Sequence, residues 1–276
     1  MNSYVQLYIE SGLESADPRA IFAIMLLALA RLLPIIIHSP FLGARLLPHP
    51  VKMALAISLF AIFLPSILVN MQGPVSFNTT LLFLMLKEMF IGFGLGVIIS
   101  VPFIVVQSVG MLIDNQRGGA SLMVNDPTIQ NQSSPIGTLF NMVLIYLFFV
   151  IDGPFYLFNA IVISYEIMPI DQFISPHFFN KDTVFWKLQF DLLNKMMLLT
   201  TQLVAPALVT ILMTDMFLGI ANRLAPQVQI TFLGMPLKSL LALMMVALGW
   251  KLYNAEVIKQ VFVWISLFRD SIGSFL

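Results

Sequence analysis

The 276-residue chain contains no cysteine, no block of Lys or Arg, and only 10% charged residues, against about 25% in ordinary soluble domains. Without cysteine there is no disulfide, no thiolate metal site and no thiol nucleophile, and the compartment stays open because oxidising environments tolerate such chains. Fourteen basic residues balance fourteen acidic ones, so neither a nucleic-acid footprint nor a polybasic lipid anchor is present. Enzyme signatures are missing too. His38, His49 and His177 are scattered, and none has a His or Glu at the i+3 or i+4 spacing of a helical metal site. Lys238-Ser239 lacks the Gly of a phosphate loop, Gly118-Gly119-Ala120-Ser121 is not a nucleophile elbow, and Gly92-Phe93-Gly94-Leu95-Gly96 does not follow the dinucleotide-binding spacing. No catalytic residue, metal or cofactor is expected.

What the chain has in abundance is apolar sequence: 59% hydrophobic residues and a mean hydropathy of +0.92. No charge interrupts Met53 to Leu86, Met89 to Ile113, Pro127 to Ile151 or Met196 to Thr214, and each run supplies the roughly 20 apolar residues that cross a bilayer. The expected fold class is all-α: a polytopic membrane-type protein of long, broken helical hairpins in a single domain. Six apolar segments are expected at 18–37, 51–69, 79–106, 136–165, 196–221 and 230–250, followed by an amphipathic tail over 251–276. Asp17-Pro18 is a capped start for the first. Pro34, Pro65, Pro102 and Pro206 are expected to interrupt spans, the fourth segment restarts after Asp152-Gly153-Pro154, and Phe185 to Leu193 reads as a short amphipathic helix. Glu10, Glu14 and Asp17 precede the first apolar run, the reverse of a signal peptide's basic start, so the segments are expected to be retained. Charge does not fix the topology. The basic stretch Arg45 to Lys52 points to the cytoplasm, yet six crossings would place a tail bearing Lys251, Lys259 and Arg269 outside.

Charges inside apolar helices need partners, because each costs about 2.5–3.5 kcal/mol on insertion scales. Lys87 and Glu88 are neighbours, so on a helix they are expected to find different partners or to sit near an interface where their stems snorkel; a structural pair buried against other subunits and a proton relay both fit. Asp215 and Arg223 share a helix face two turns apart, too far to meet, and each is expected to bind elsewhere. Gly92, Gly94 and Gly96 clear a helix surface for close packing, with Gly92 and Gly96 at the small-xxx-small spacing.

The most informative stretch is Gln107 to Pro135, a long polar interval between two apolar segments, where irregular backbone survives only if covered by protein or lining water. Asp114 and Arg117 stand at i, i+3 and can pair, and Gly118-Gly119 permits a turn at positive φ. A compact plug and an ordinary surface connector remain alternatives on these residues alone.

In order and spacing the chain resembles the SctT/FliR family of type III export-apparatus proteins over about Arg31 to Leu243. The resemblance rests on Ala30-Arg31 with Pro34, on Gly92 to Gly96, and on Gly110-Met111-Leu112-Ile113-Asp114-Asn115-Gln116-Arg117-Gly118. It continues through Asn125-Asp126-Pro127, Phe149 to Gly153, Ser164, Ala205-Pro206, Gly219 to Gln227 and Gly234-Met235-Pro236-Leu237-Lys238. The Ile113 to Gly118 wording is closer to injectisome members than to flagellar ones, and Pro154 stands where many relatives carry a histidine. The resemblance implies a non-enzymatic subunit at the base of a secretion apparatus in the bacterial inner membrane. Its implied partners are SctR/FliP-like, SctS/FliQ-like and SctU/FlhB-like subunits and secreted polypeptides. It further implies a pore-gating role for Gln107, Gly110, Ile113, Asp114, Gln116, Arg117, Gly118 and Gly119. Gly92, Gly94, Gly96, Lys87, Glu88, Asp215 and Arg223 are then expected at helix packing and subunit interfaces. The rival from another class is a stand-alone transporter for a small solute, with Lys87, Glu88, Asp215 and Arg223 as its binding set.

Overall fold

The computed structural model describes residues 18–42, 47–71, 73, 75, 77–118, 124–125, 132–173, 184–224 and 230–273. Among them lie seven α-helices: α1 (Pro18–His38), α2 (His49–Asn70), α3 (Thr79–Gln116), α4 (Pro135–Val150), α5 (Gly153–Ile167), α6 (Val184–Leu224) and α7 (Ile230–Gly273). The all-α expectation holds apart from a two-rung antiparallel ladder, β1 (Val124–Asn125) with β2 (Gln132–Ser133), which pairs Val124 with Ser133 and Asn125 with Gln132.

Several boundaries differ from expectation, each for a physical reason. The third helix continues to Gln116 because Val105, Val109 and Ile113 fall at i, i+4 and i+8 and bury one continuous apolar stripe beneath the polar residues. Pro34, Pro65, Pro102 and Pro206 all lie inside unbroken helices; apolar runs on both sides outweigh the one lost hydrogen bond. The short amphipathic helix at Phe185 merges into α6, and the tail merges into α7. The break between α4 and α5 falls at the expected place, with Asp152 at φ 57°, in the left-handed region, as the residue before α5. Asp17 lies outside the described residues.

The chain forms two compact units. One gathers the described residues up to Ser100, those from Asp152 to Leu192 and those from Trp264 on; the other gathers Val101–Ile151 and Leu193–Val263. In the first, α1 packs on α2 and α2 on α5. Gly92 brings α3 against α1 so closely that a Cβ there would stand 2.2 Å from the Arg31 carbonyl oxygen, and one at Gly96 would meet Pro34 O at 3.0 Å. In the second, Gly110 of α3 meets the α4 backbone, where an added Cβ would come 2.3 Å from Gly137 N. Ile136, Phe140, Leu144 and Phe148 line one face of α4, and the Phe140 ring packs at a tilt against Tyr253 of α7, centroids 4.6 Å apart.

Among the described residues five helices are long and apolar enough to cross a membrane, or up to six if α4 and α5 count as one broken span. Their burial is uneven. Within the apolar windows, 67% of residues are buried in α3, 22% in α6 and 6% in α7, so the last two helices leave much of their apolar surface uncovered by the described chain.

Candidate functional site

The site forms where α3 ends and α4 begins. Asp114 is fully buried, one position beyond the stripe that ends at Ile113. Its Oδ2 accepts the hydroxyl hydrogen of Ser134 and the Ile136 backbone N–H at 2.9 Å. Its Oδ1 accepts from Arg117 Nε at 2.8 Å and lies 2.6 Å from Nη2. Ser134 is the N-cap of α4 and in turn accepts the Gly137 N–H at 2.9 Å. The carboxylate thus sits where the free amides and positive end of a helix favour an anion. A buried charge is costly alone, but here each oxygen receives two donors, one set from a guanidinium, which offsets the desolvation. Arg117 then reaches on with Nη1 to Ser239 Oγ of α7 at 3.2 Å.

Of the residues singled out in sequence, Asp114 and Arg117 do pair, and the pair is buried, not solvated. Gln107, Gly110, Ile113 and Gln116 belong to α3, with Gly110 and Ile113 in its packed face. Gly118 takes φ 88° in the turn that leaves the helix, the left-handed conformation that glycine adopts without penalty. Gly119 lies outside the described residues. The chain between Gly118 and Ser134 is therefore tied at both ends to one carboxylate, with the β1–β2 ladder just beyond.

A second cluster of charges lies inside the first unit. Glu88 accepts from Arg31 Nε at 2.5 Å and Nη2 at 2.9 Å. Lys87 Nζ stands 2.6 Å from the same carboxylate, so the two neighbours do meet, contrary to expectation. Lys87's long flexible stem lets its ammonium curl back to an adjacent residue. Arg31 also satisfies the carbonyl end of α5, and Lys87 the carbonyls of the turn that follows it. Arg31 donates to Ser164 O and Met168 O, each at 2.8 Å, and Lys87 to Pro169 O and Gln172 O, each at 2.9 Å. Arg31 lies over the Tyr165 ring at 4.2 Å. Cations on the last carbonyls of a helix are stabilising. Lys87 and Glu88 thus find their partners within this chain, and the cluster, buried in its own unit, locks α1, α3 and α5 together. Gly94 is buried nearby on α3.

In the second unit, Asp215 of α6 forms an ion pair with Lys238 of α7. The pair borders a cleft of about 260 Å³ whose walls include Gly219, Asn222, Gly234 and Met235. Arg223 is exposed in the last turn of α6. Among the described residues no group of three or more metal-ligating side chains comes together. Sequence reasoning missed Ser134, Gly137 and Ser239 as members of the site. Ser134-Pro135 had the signature of a capped helix start, which was the available signal; Ser239 carried none.

The chain matches the family described as bacterial export proteins, family 1, over residues 22–262. It is 30% identical over 220 residues to the secretion system apparatus protein SsaT of Salmonella typhimurium (strain LT2), covering 79% of this chain and 81% of that protein. It is 32% identical over 163 residues to the Yop proteins translocation protein T of Yersinia pestis, covering 59% of this chain and 61% of that one. To the flagellar biosynthetic protein FliR of Escherichia coli (strain K12) it is 30% identical over 211 residues, covering 76% and 77%. The chain belongs to the bacterial export proteins of family 1, the SctT/FliR family of the type III export apparatus.

Proposed function

We propose that the chain is a non-enzymatic core subunit of a type III export gate, and that the segment between Gly118 and Ser134 closes the passage through which unfolded polypeptides travel. The observation that carries the gating reading is the Asp114 carboxylate: fully buried, it fastens both ends of that segment to the ends of α3 and α4. The poorly covered faces of α6 and α7 support life in an assembly at the bacterial inner membrane, with SctR/FliP-like and SctS/FliQ-like subunits and an SctU/FlhB-like one as partners. The Ile113 to Gly118 wording favours an injectisome over a flagellum. The internal partners of Lys87, Glu88 and Asp215, three of the four residues a solute transporter would use, weigh against that rival.

Two measurements test this. Affinity purification of the tagged chain from detergent extract is expected to recover companion export subunits; a monodisperse chain that transports a solute alone would reject the proposal. Cells carrying the assembled gate with Asp114→Asn are expected to leak ions, and tight membranes with normal secretion would reject the gating role.

A further inference from the structure

Two stretches singled out in sequence, Gly219 to Gln227 and Gly234 to Lys238, have no part in the Asp114 site, yet their described residues converge. Gly219 and Asn222 of α6 share one cleft with Gly234, Met235 and Lys238 of α7. Met235, Lys238, Ser239 and Ala242 stand at i, i+3, i+4 and i+7, one face of a helix. That face touches two things at once. Lys238 is paired with Asp215 of α6, and Ser239 accepts Nη1 of Arg117 at 3.2 Å. Met235 Cγ lies 3.7 Å from where a Cβ on Gly118 would be, so the left-handed turn at the root of the segment rests on the same helix face. Ala242, one turn on, is fully buried.

Arg117 therefore holds Asp114 with one side of its guanidinium and α7 with the other. Neither carboxylate oxygen of Asp114 takes a donor from α7, so the contact to Ser239 acts on the fastening of α3 to α4 only through Arg117. What it adds is a mechanical link from the α6–α7 hairpin to the root of the gating segment. We propose that Ser239 is a positioning residue, the anchor of a latch in which Asp215–Lys238 sets the α7 face and Ser239 holds Arg117, so that displacement of the hairpin loosens the segment's root. This rests on the gating reading above. The Gly234 to Lys238 stretch then serves the latch, since its glycine and Met235 shape the cleft and its lysine ties α7 to α6 one residue before the anchor.

The test uses the full chain in its native assembly, reading ion conductance of the membrane alongside recovery of the companion subunits. Ser239→Val and Ser239→Thr are nearly the same shape and differ in the hydroxyl. Valine is expected to raise the leak about tenfold, the equilibrium worth of one hydrogen bond to a charged group, and threonine to restore tightness. Arg117→Ala combined with Ser239→Val is expected to leak no more than Arg117→Ala alone, because both remove one contact. Asp215→Asn, at a side chain 42% exposed, is expected to leak in part. A tight Ser239→Val gate beside a leaky Asp114→Asn gate overturns the latch and leaves the gating reading standing; tightness in all of them, Arg117→Ala included, overturns both. Should Ser239→Val fail to assemble, Asp215→Asn decides alone, a leak supporting the latch and tightness refuting it.

Discussion

Asp114 and Ser134, 20 residues apart in the chain, share a buried hydrogen bond in which the serine hydroxyl donates to the carboxylate while its own oxygen caps α4. One side chain thereby finishes α3 and begins α4, and the intervening segment inherits two fixed roots.

Removing that side chain leaves donors without an acceptor. Asp114→Ala strands the buried Arg117 guanidinium and the Ile136 amide, and is expected to cost about 3–5 kcal/mol. Asp114→Asn keeps the shape and an acceptor, and about 1.5–3 kcal/mol is expected. Thermal unfolding of the detergent-solubilised chain in its assembly orders them: wild type above Asn above Ala. Equal melting for all three would show that the knot adds no stability.

Much of the fold was legible because apolar runs this long have few alternatives in a chain so poor in charge. The Asp114–Arg117 pair was legible as well, since three residues on a helix bring side chains together. The extent of α3 was not. Gln107, Ser108 and Gly110 read as loop residues, and only the tertiary contact shows that Gly110 is small so that Gly137 can approach. Nor was Glu88's engagement of both Arg31 and its neighbour Lys87, because partners 57 residues apart leave no trace in local spacing.

The Arg31–Glu88–Lys87 cluster makes its own prediction. Glu88→Ala leaves two buried cations with no carboxylate, held mainly by backbone carbonyls at and just beyond the end of α5, and a loss of about 3–5 kcal/mol is expected. Arg31→Lys keeps charge but surrenders the forked geometry that serves Glu88, Ser164 and Met168 at once. Membrane-integrated yield of each variant measures this, and a yield matching wild type for Glu88→Ala would contradict a structural role.

Glycines separate into two kinds. An alanine at Gly92 or Gly110 puts its Cβ within 2.2 or 2.3 Å of facing backbone, so helices must part and the substitution is expected to abolish stable assembly. Gly249 has nothing within 4 Å of such a Cβ, and Gly249→Ala is expected to be neutral or to stabilise by up to about 1 kcal/mol through helix propensity. Parallel melting curves check the contrast.

Asp152 holds φ 57° with no side-chain cap on α5. Asp152→Gly is expected to be tolerated or to stabilise by up to about 1 kcal/mol, whereas Asp152→Val forces a β-branched residue into the left-handed region and should destabilise by more than that. The same melting assay distinguishes them.

The most direct test of the gate replaces residues 119–131 with a short Gly-Ser linker, leaving Asp114, Arg117 and Ser134 in place, and records ion conductance of membranes containing the assembled complex. Higher conductance with undiminished recovery of the companion subunits is the predicted result. Conductance equal to that of the intact chain, with subunits recovered and secretion unchanged, would contradict it.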